Sequence, residues 1–320
     1  MDPYTLEFVA AAFIFAFAAT FTTVPFIISN SLKAGIVGRD RNKKGEPVPE
    51  MGGVAIVAGI TFGILIAIAL GLNTRPEIKY LLAALSSVLL MGILGILDDL
   101  FNLKRKIKAP IPFIAAIPLS AVRAGTRTID FPFLNPINFG AFYPLAIVPI
   151  GIGGASNAFN MLAGLNGLEA GMGIIISGAV FAAAYMKGSY DAMIISISLL
   201  GACLAFYYFN RFPAKIFPGD VGTYSIGATI ASAAIIGNLE FFGLVLFLPY
   251  FAEFILKARG RFSGQNFGSL KNGKLVPPKR TDSLTHIVMR MGSFTEQQVV
   301  NRLLLMELIV AAVALAFFVH

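Results

Sequence analysis

The chain has 320 residues, of which 57% are hydrophobic and only 13% are Asp, Glu, Lys or Arg. A soluble domain carries about 25% charged residues, so this composition excludes an ordinary soluble enzyme, a disordered chain and a collagen-like chain. The formal charge of +8 is first a statement about topology, because Lys and Arg collect in the cytoplasmic loops of membrane proteins.

The apolar runs follow in chain order. Phe8–Ile28 is long enough to cross a bilayer, which takes about 20 helical residues. Its flank holds Asp2 and Glu7 and no basic residue, unlike a signal peptide, so a retained helix is expected. Further spans are expected at Gly52–Leu72, Tyr80–Leu97, Pro110–Val122, Phe142–Leu162, Leu168–Met186, Ala192–Phe209, Val221–Asn238, Phe241–Leu256 and Leu303–Val319. The fourth is short and holds Pro110, Pro112 and Pro118, which predicts a bent helix.

These runs are too long and too uniformly apolar for barrel strands. The expected fold is all-α: a polytopic membrane protein of about ten helices, one domain over residues 1–320, with both termini on the outer side. In that orientation twenty of the 25 basic residues lie on inner segments. Arg75, Lys79, Arg123, Arg127 and Lys187 lie outside, a strong positive-inside split. Segments 30–51, 98–109, 210–220 and 257–302 then form one cytoplasmic face. Cys203, the sole cysteine, reads as a small buried hydrophobe and excludes an intrachain disulfide. Glu253 and Glu307 fall inside apolar runs, where a structural role is weighed above a functional one.

The informative polar residues sit at the inner ends of spans. Span three ends in Asp98-Asp99. Carboxylates there oppose the helix macrodipole, and neighbouring residues point about 100° apart. One of the pair is free to face a ligand while the other holds a lysine. Lys104, Arg105, Lys106 and Lys108 follow at once, a pattern suited to metal-assisted chemistry on phosphates. A membrane-surface signal explains the lysines but not the aspartates. At the end of span five, Asn157, Asn160 and Gly164 fall on one helical face by their spacing, and Asn166 follows between glycines. Phe217-Pro218-Gly219-Asp220 opens span eight. There Asp220 reads either as a helix cap or as a ligand for a divalent metal. In the last inner loop Arg259, Arg261, Gln265, Asn266, Lys271, Lys279, Arg280 and His286 offer a sugar-phosphate clamp.

These residues, in this order, resemble the polyprenyl-phosphate N-acetylhexosamine-1-phosphate transferases. The resemblance covers nearly the whole chain: Pro49-Glu50-Met51-Gly52-Gly53, Asp98 through Lys108, Asn157–Gly171 and Phe217–Gly222. The peptidoglycan branch typically has Asp where this chain has Ala163 and Asn166. The stretch Leu162–Gly171 is instead similar to the UDP-N-acetylglucosamine–dolichyl-phosphate branch. Phe267–Pro278 resembles a small hairpin of that branch, and the short chain fits an archaeal member.

The resemblance implies an enzyme that is a magnesium-dependent glycosyl-1-phosphate transferase (a phosphotransferase), with manganese as the alternative ion. It transfers GlcNAc-1-phosphate from UDP-GlcNAc to a polyprenyl (dolichyl-type) phosphate, the first step of lipid-linked glycan synthesis. By position it implies Asp220 and Asn160 as metal ligands, and Phe217, Asn166 and the Gly164 backbone as uridine contacts. Lys108 matches a phosphate-facing lysine, and Asp98 or Asp99 matches the residue that positions the lipid phosphate. Glu50 lies near the sugar, and Arg261 is the retained diphosphate contact. The chain departs from the peptidoglycan branch in having only His286 where that branch has a histidine run. The implied location is the cell membrane, with the active site facing the cytoplasm and lipids as surroundings. Nucleic acid is not needed to explain the charge, and a homodimer is left open. The alternatives are another UDP-N-acetyl sugar or, in a different class, a membrane transporter or flippase.

Overall fold

The computed structural model describes residues 4–40, 46–71, 78–131 and 135–318. Asp2, Arg41, Lys43, Lys44, Leu72, Arg75 and Val319, used in the span and charge readings above, lie outside these residues. The described chain is mainly helical. The helices are α1 Tyr4–Ala34, α2 Gly53–Gly71, α3 Lys79–Phe101, α4 Arg105–Lys108, α5 Ile111–Ile114, α6 Ile117–Ala121 and α7 Val148–Leu162. They continue with α8 Leu168–Lys187, α9 Tyr190–Asn210, α10 Gly219–Ile236, α11 Glu240–Leu246, α12 Leu248–Arg259, α13 Leu284–Arg290 and α14 Glu296–Phe318. A π-helical turn, Tyr143–Ile147, leads into α7.

Among the described residues seven helices are long and apolar enough to cross a membrane, and an eighth is counted if α11 and α12, bent by 58°, form one span. Of the ten expected spans, Pro110–Val122 and Val221–Asn238 (α10) are not among these, and Phe241–Leu256 is the bent one. Pro110–Val122 is two short pieces, α5 and α6, because Pro112 and Pro118 lack the N–H that would continue the ladder. Phe241–Leu256 breaks at Phe247, just before Pro249. Helix α10 has 18 residues, and every one from Val221 to Ile236 is buried. It is the central post of the bundle. The outward faces of other helices carry large apolar side chains, such as Phe26 at 70% and Leu145 at 76% exposure, as lipid contact requires.

Not everything is helical. Among the described residues three antiparallel strand pairs stand outside the helices: β1 Val37–Asp40 with β2 Glu46–Pro49, β3 Thr128–Ile129 with β4 Ile137–Asn138, and the hairpin of β5 Ser269–Lys271 with β6 Lys274–Val276. The last is the small hairpin expected within Phe267–Pro278, turned by Asn272 and Gly273 at positive φ. Cys203 is fully buried, as expected. Glu253 is also buried and accepts the Ser283 hydroxyl (3.0 Å) and the Leu284 N–H (2.7 Å) at the start of α13. That is the structural role its sequence context favoured.

Two close helix crossings place the site. A Cβ on Gly95 of α3 would lie 2.3 Å from Val221 Cα of α10. A Cβ on Gly53 of α2 would lie 2.0 Å from Gly222 N. Small residues let membrane helices meet backbone to backbone. Asp98 and Asp99 lie one turn beyond Gly95, so this contact delivers them to the first turn of α10, where Asp220 sits.

Candidate active site

The aspartate pair divides as its 100° offset requires. Asp98 is buried, at 3% exposure. It accepts the Leu103 N–H (3.0 Å), the Lys108 ammonium (2.7 Å) and the Tyr224 hydroxyl (3.3 Å). Asp99 turns to α10, where it accepts the Asp220 N–H (2.8 Å) and the Val221 N–H (3.4 Å). The helix cap is thus Asp99, not Asp220. Gly219 makes this possible: its φ is +66°, and a Cβ there would lie 2.4 Å from an Asp99 oxygen.

Freed from capping, the Asp220 carboxylate faces two partners. Lys108 Nζ donates to one oxygen at 3.1 Å, and Asn160 Nδ2 donates to the other at 2.5 Å. Asn160 also donates to Thr223 Oγ1 at 3.0 Å. Burial works against the Lys108 ammonium, but the charges of Asp220 and Asp98 outweigh it and hold the lysine above its usual range. Lys108 is positioned by its backbone neighbourhood too: Asn157 Nδ2 donates to Ala109 O at 3.1 Å and to Gly153 O at 2.9 Å. The expected polar stripe of α7 therefore stops at Asn160. The helix ends at Leu162, and Gly164 lies beyond it at φ +128°.

Glu50 joins from the other side. Phe217 N–H donates to Pro49 O (2.8 Å), and Gly52 and Gly53 N–H donate to Phe217 O and Pro218 O (2.9 and 2.8 Å). The segments Pro49–Gly53 and Phe217–Pro218 are thereby stitched together beside Asp220. The Glu50 side chain folds over Gly38, where a Cβ would lie 2.0 Å from its Oε1. Burial, and next the Asp220 charge, push the Glu50 carboxyl above its usual range.

The remaining expected residues separate into two groups. Arg261 and Gln265 are exposed, while Asn266 and His286 are buried and hold the loop itself. Asn166 is 3% exposed; its Nδ2 donates to Asp40 (3.0 Å) and its N–H to Glu296 (2.8 Å). Of the eight loop residues expected to offer a sugar-phosphate clamp, Asn266 and His286 thus bond the protein's own backbone. Sequence reading missed Thr223 and Tyr224, whose signal was their i+3 and i+4 spacing from Asp220. It also missed Glu169, which accepts the Gly164 N–H at 2.5 Å.

A divalent cation fits this donor set. Asp220 offers a carboxylate, and the Asn160 carboxamide carries an oxygen beside the nitrogen that bonds Asp220. Among the described residues no group of three or more His, Cys, Asp or Glu could hold a metal ion. Few protein ligands suit a hard cation such as magnesium, which completes its shell with water and substrate phosphate oxygens. The arrangement offers oxygen ligands and one ammonium at a single point, the requirements of charge neutralisation on a phosphate.

Comparison with known proteins agrees. The description "Glycosyl transferase family 4" matches residues 81–238. A candidate UDP-N-acetylglucosamine–dolichyl-phosphate N-acetylglucosaminephosphotransferase of Saccharolobus solfataricus is 42% identical over 306 residues, covering 93% of each chain. The chain belongs to this transferase family. A candidate of the same description from Sulfolobus acidocaldarius is 40% identical over 95% of this chain and 94% of its own. The Dictyostelium discoideum UDP-N-acetylglucosamine–dolichyl-phosphate N-acetylglucosaminephosphotransferase is 25% identical over 96% of this chain and 88% of its own. As a family member the chain is a membrane transferase, and both Asp98-Asp99 and Asp220 lie inside the matched region.

Proposed function

We propose that the protein transfers GlcNAc-1-phosphate from UDP-GlcNAc to a polyprenyl phosphate of the dolichyl type. An oxygen of the lipid phosphate attacks the β-phosphorus, the bond from that phosphorus to the bridging oxygen breaks, and UMP leaves. GlcNAc-diphosphate-polyprenol is the other product. The observation that carries this reading is the placement of Asp220 between Lys108 and Asn160 with its backbone held by Asp99.

In phosphoryl transfer little covalent work falls to the protein, so positioning and charge neutralisation dominate. Asp220 and Asn160 would hold a magnesium ion, with manganese as the alternative. That ion supplies charge neutralisation on the diphosphate. Lys108 faces a phosphate, and Asp98 orients the Lys108 ammonium. No general base is needed, because a phosphate monoester with its second pKa near 6 is mostly ionised at neutral pH. Phe217, Gly164 and Asn166 bind the uridine, Glu50 lies near the sugar, and Arg261 contacts the diphosphate. In this reading the chain crosses the membrane ten times, with α10 and the broken α5–α6 segment completing the count. Both termini lie outside and the site faces the cytoplasm.

The test is UMP release by the purified protein. Release is expected only with UDP-GlcNAc, polyprenyl phosphate and magnesium together. Competition among UDP-sugars identifies the sugar, and no release with any of them contradicts the reading.

A further inference from the structure

Phe267, in the loop between α12 and the β5–β6 hairpin, lies against Gly164. A Cβ on Gly164 would be 2.8 Å from its Cζ and 3.0 Å from its Cε1. The ring is only half-buried, yet the backbone around it is unusually well fixed. Asn266 Nδ2 donates to Met161 O (2.8 Å) and Ala163 O (2.6 Å), two of the three carbonyls just before Gly164. Its Oδ1 accepts the buried Lys257 ammonium, which also donates to Gly264 O at 3.0 Å. Thr285 Oγ1 donates to Asn266 O at 2.7 Å. His286 Nδ1 accepts the Asp282 N–H (3.3 Å), so its proton sits on Nε2, which reaches Phe267 O at 3.3 Å. Buried polar groups from three elements thus converge on two residues that present one aromatic ring. Core packing does not require that, since a half-buried ring gains little from such anchoring.

We propose that Phe267 is an aromatic wall of the nucleotide site at Gly164, distinct from Phe217, and that Asn266 and Lys257 are the positioning residues that hold it there. This rests on the nucleotide-sugar reading above. A base has a π-face, and an aromatic ring fixed at the peptide that borders it adds stacking at little entropic cost.

The test is steady-state kinetics of the full-length protein, with UMP affinity measured by calorimetry. Phe267→Ala and Phe267→Leu should each raise KM for UDP-GlcNAc and weaken UMP binding by about tenfold, with kcat and the KM for polyprenyl phosphate within about twofold. Phe267→Tyr and Phe267→Trp should stay near wild type. Asn266→Ala should reproduce the KM effect while the ring is still present. Phe267→Leu keeps apolar bulk, so wild-type affinity in that variant means packing, and the proposal fails. It fails too if KM falls, if only kcat changes, or if UMP affinity is unaltered. Absence of UMP release by the wild type would instead sink the nucleotide-sugar reading itself.

Discussion

The Asp99 carboxylate accepts the Asp220 backbone N–H at 2.8 Å. One acid of the adjacent pair serves as a helix cap whose effect is to aim another acid. Asp98 meanwhile takes the Lys108 ammonium, so the neighbours do different work on opposite sides of one turn.

Asp99→Ala should lower the thermal transition by an amount equivalent to about 0.5–2 kcal/mol, the value of a lost cap. It should also lower turnover, because Asp220 is no longer held. Asp99→Asn keeps an acceptor oxygen and should recover much of the stability. Thermal unfolding in detergent, paired with turnover, checks this. A raised KM for lipid phosphate with an unchanged transition would mean that Asp99 acts on the lipid instead.

Lys108→Ala should reduce kcat by about 100-fold, the loss typical of removing one charged or hydrogen-bonding stabiliser. Lys108→Arg should recover little of it, since a planar fork does not replace one ammonium reaching two carboxylates at 2.7 and 3.1 Å. Expression and monodispersity should stay near wild type in both. A variant that merely expresses poorly, with normal turnover per folded molecule, would favour an anionic-lipid role for this lysine.

Gly53→Ala should prevent folding, because its Cβ would lie 2.0 Å from Gly222 N and 2.7 Å from Pro218 O. Both are backbone atoms, which do not yield as a flexible side chain does. Gly154→Ala, where nothing lies within 4 Å, is the control and should fold normally. Size-exclusion profiles of the two variants check the contrast.

The pH dependence of stability has a predicted sign at His286. Burial holds its imidazole below the usual histidine range, so the unfolded chain binds a proton that the folded chain refuses. Stability should therefore be full above about pH 6.5, the unfolded value, and fall as the pH drops below it. His286→Gln should flatten that acid-side decline. Thermal unfolding between pH 8 and 5 measures it, and an equal slope in the variant would contradict this assignment.

Much of this was legible in the sequence because membrane helices are written in long apolar runs and rare charges. The Asp98-Asp99 pair was legible as a division of labour, since its 100° offset is fixed by helix geometry. What each residue faces was not, because the partner lies more than a hundred residues away, as with Asp99 and Asp220. The Pro110–Val122 segment kept its apolar character but lost helical continuity to two prolines. Nor were the hydrogen bonds of Asn166 to Asp40 and Glu296 legible. Those contacts depend on tertiary placement of β1 and α14, which spacing does not encode. Lys257 gave no signal, since a basic residue at a helix end reads as solvated whether or not it is buried.

The most direct test of the central claim follows the β-phosphate. UDP-GlcNAc labelled at that phosphorus is incubated with the purified protein, polyprenyl phosphate and magnesium, and the products are partitioned between organic and aqueous phases. Wild type should carry the label into the lipid phase together with the sugar, leaving unlabelled UMP, and Asp220→Ala should transfer none. Label that stays in the aqueous phase with wild type, or wild-type transfer by Asp220→Ala, would contradict the account.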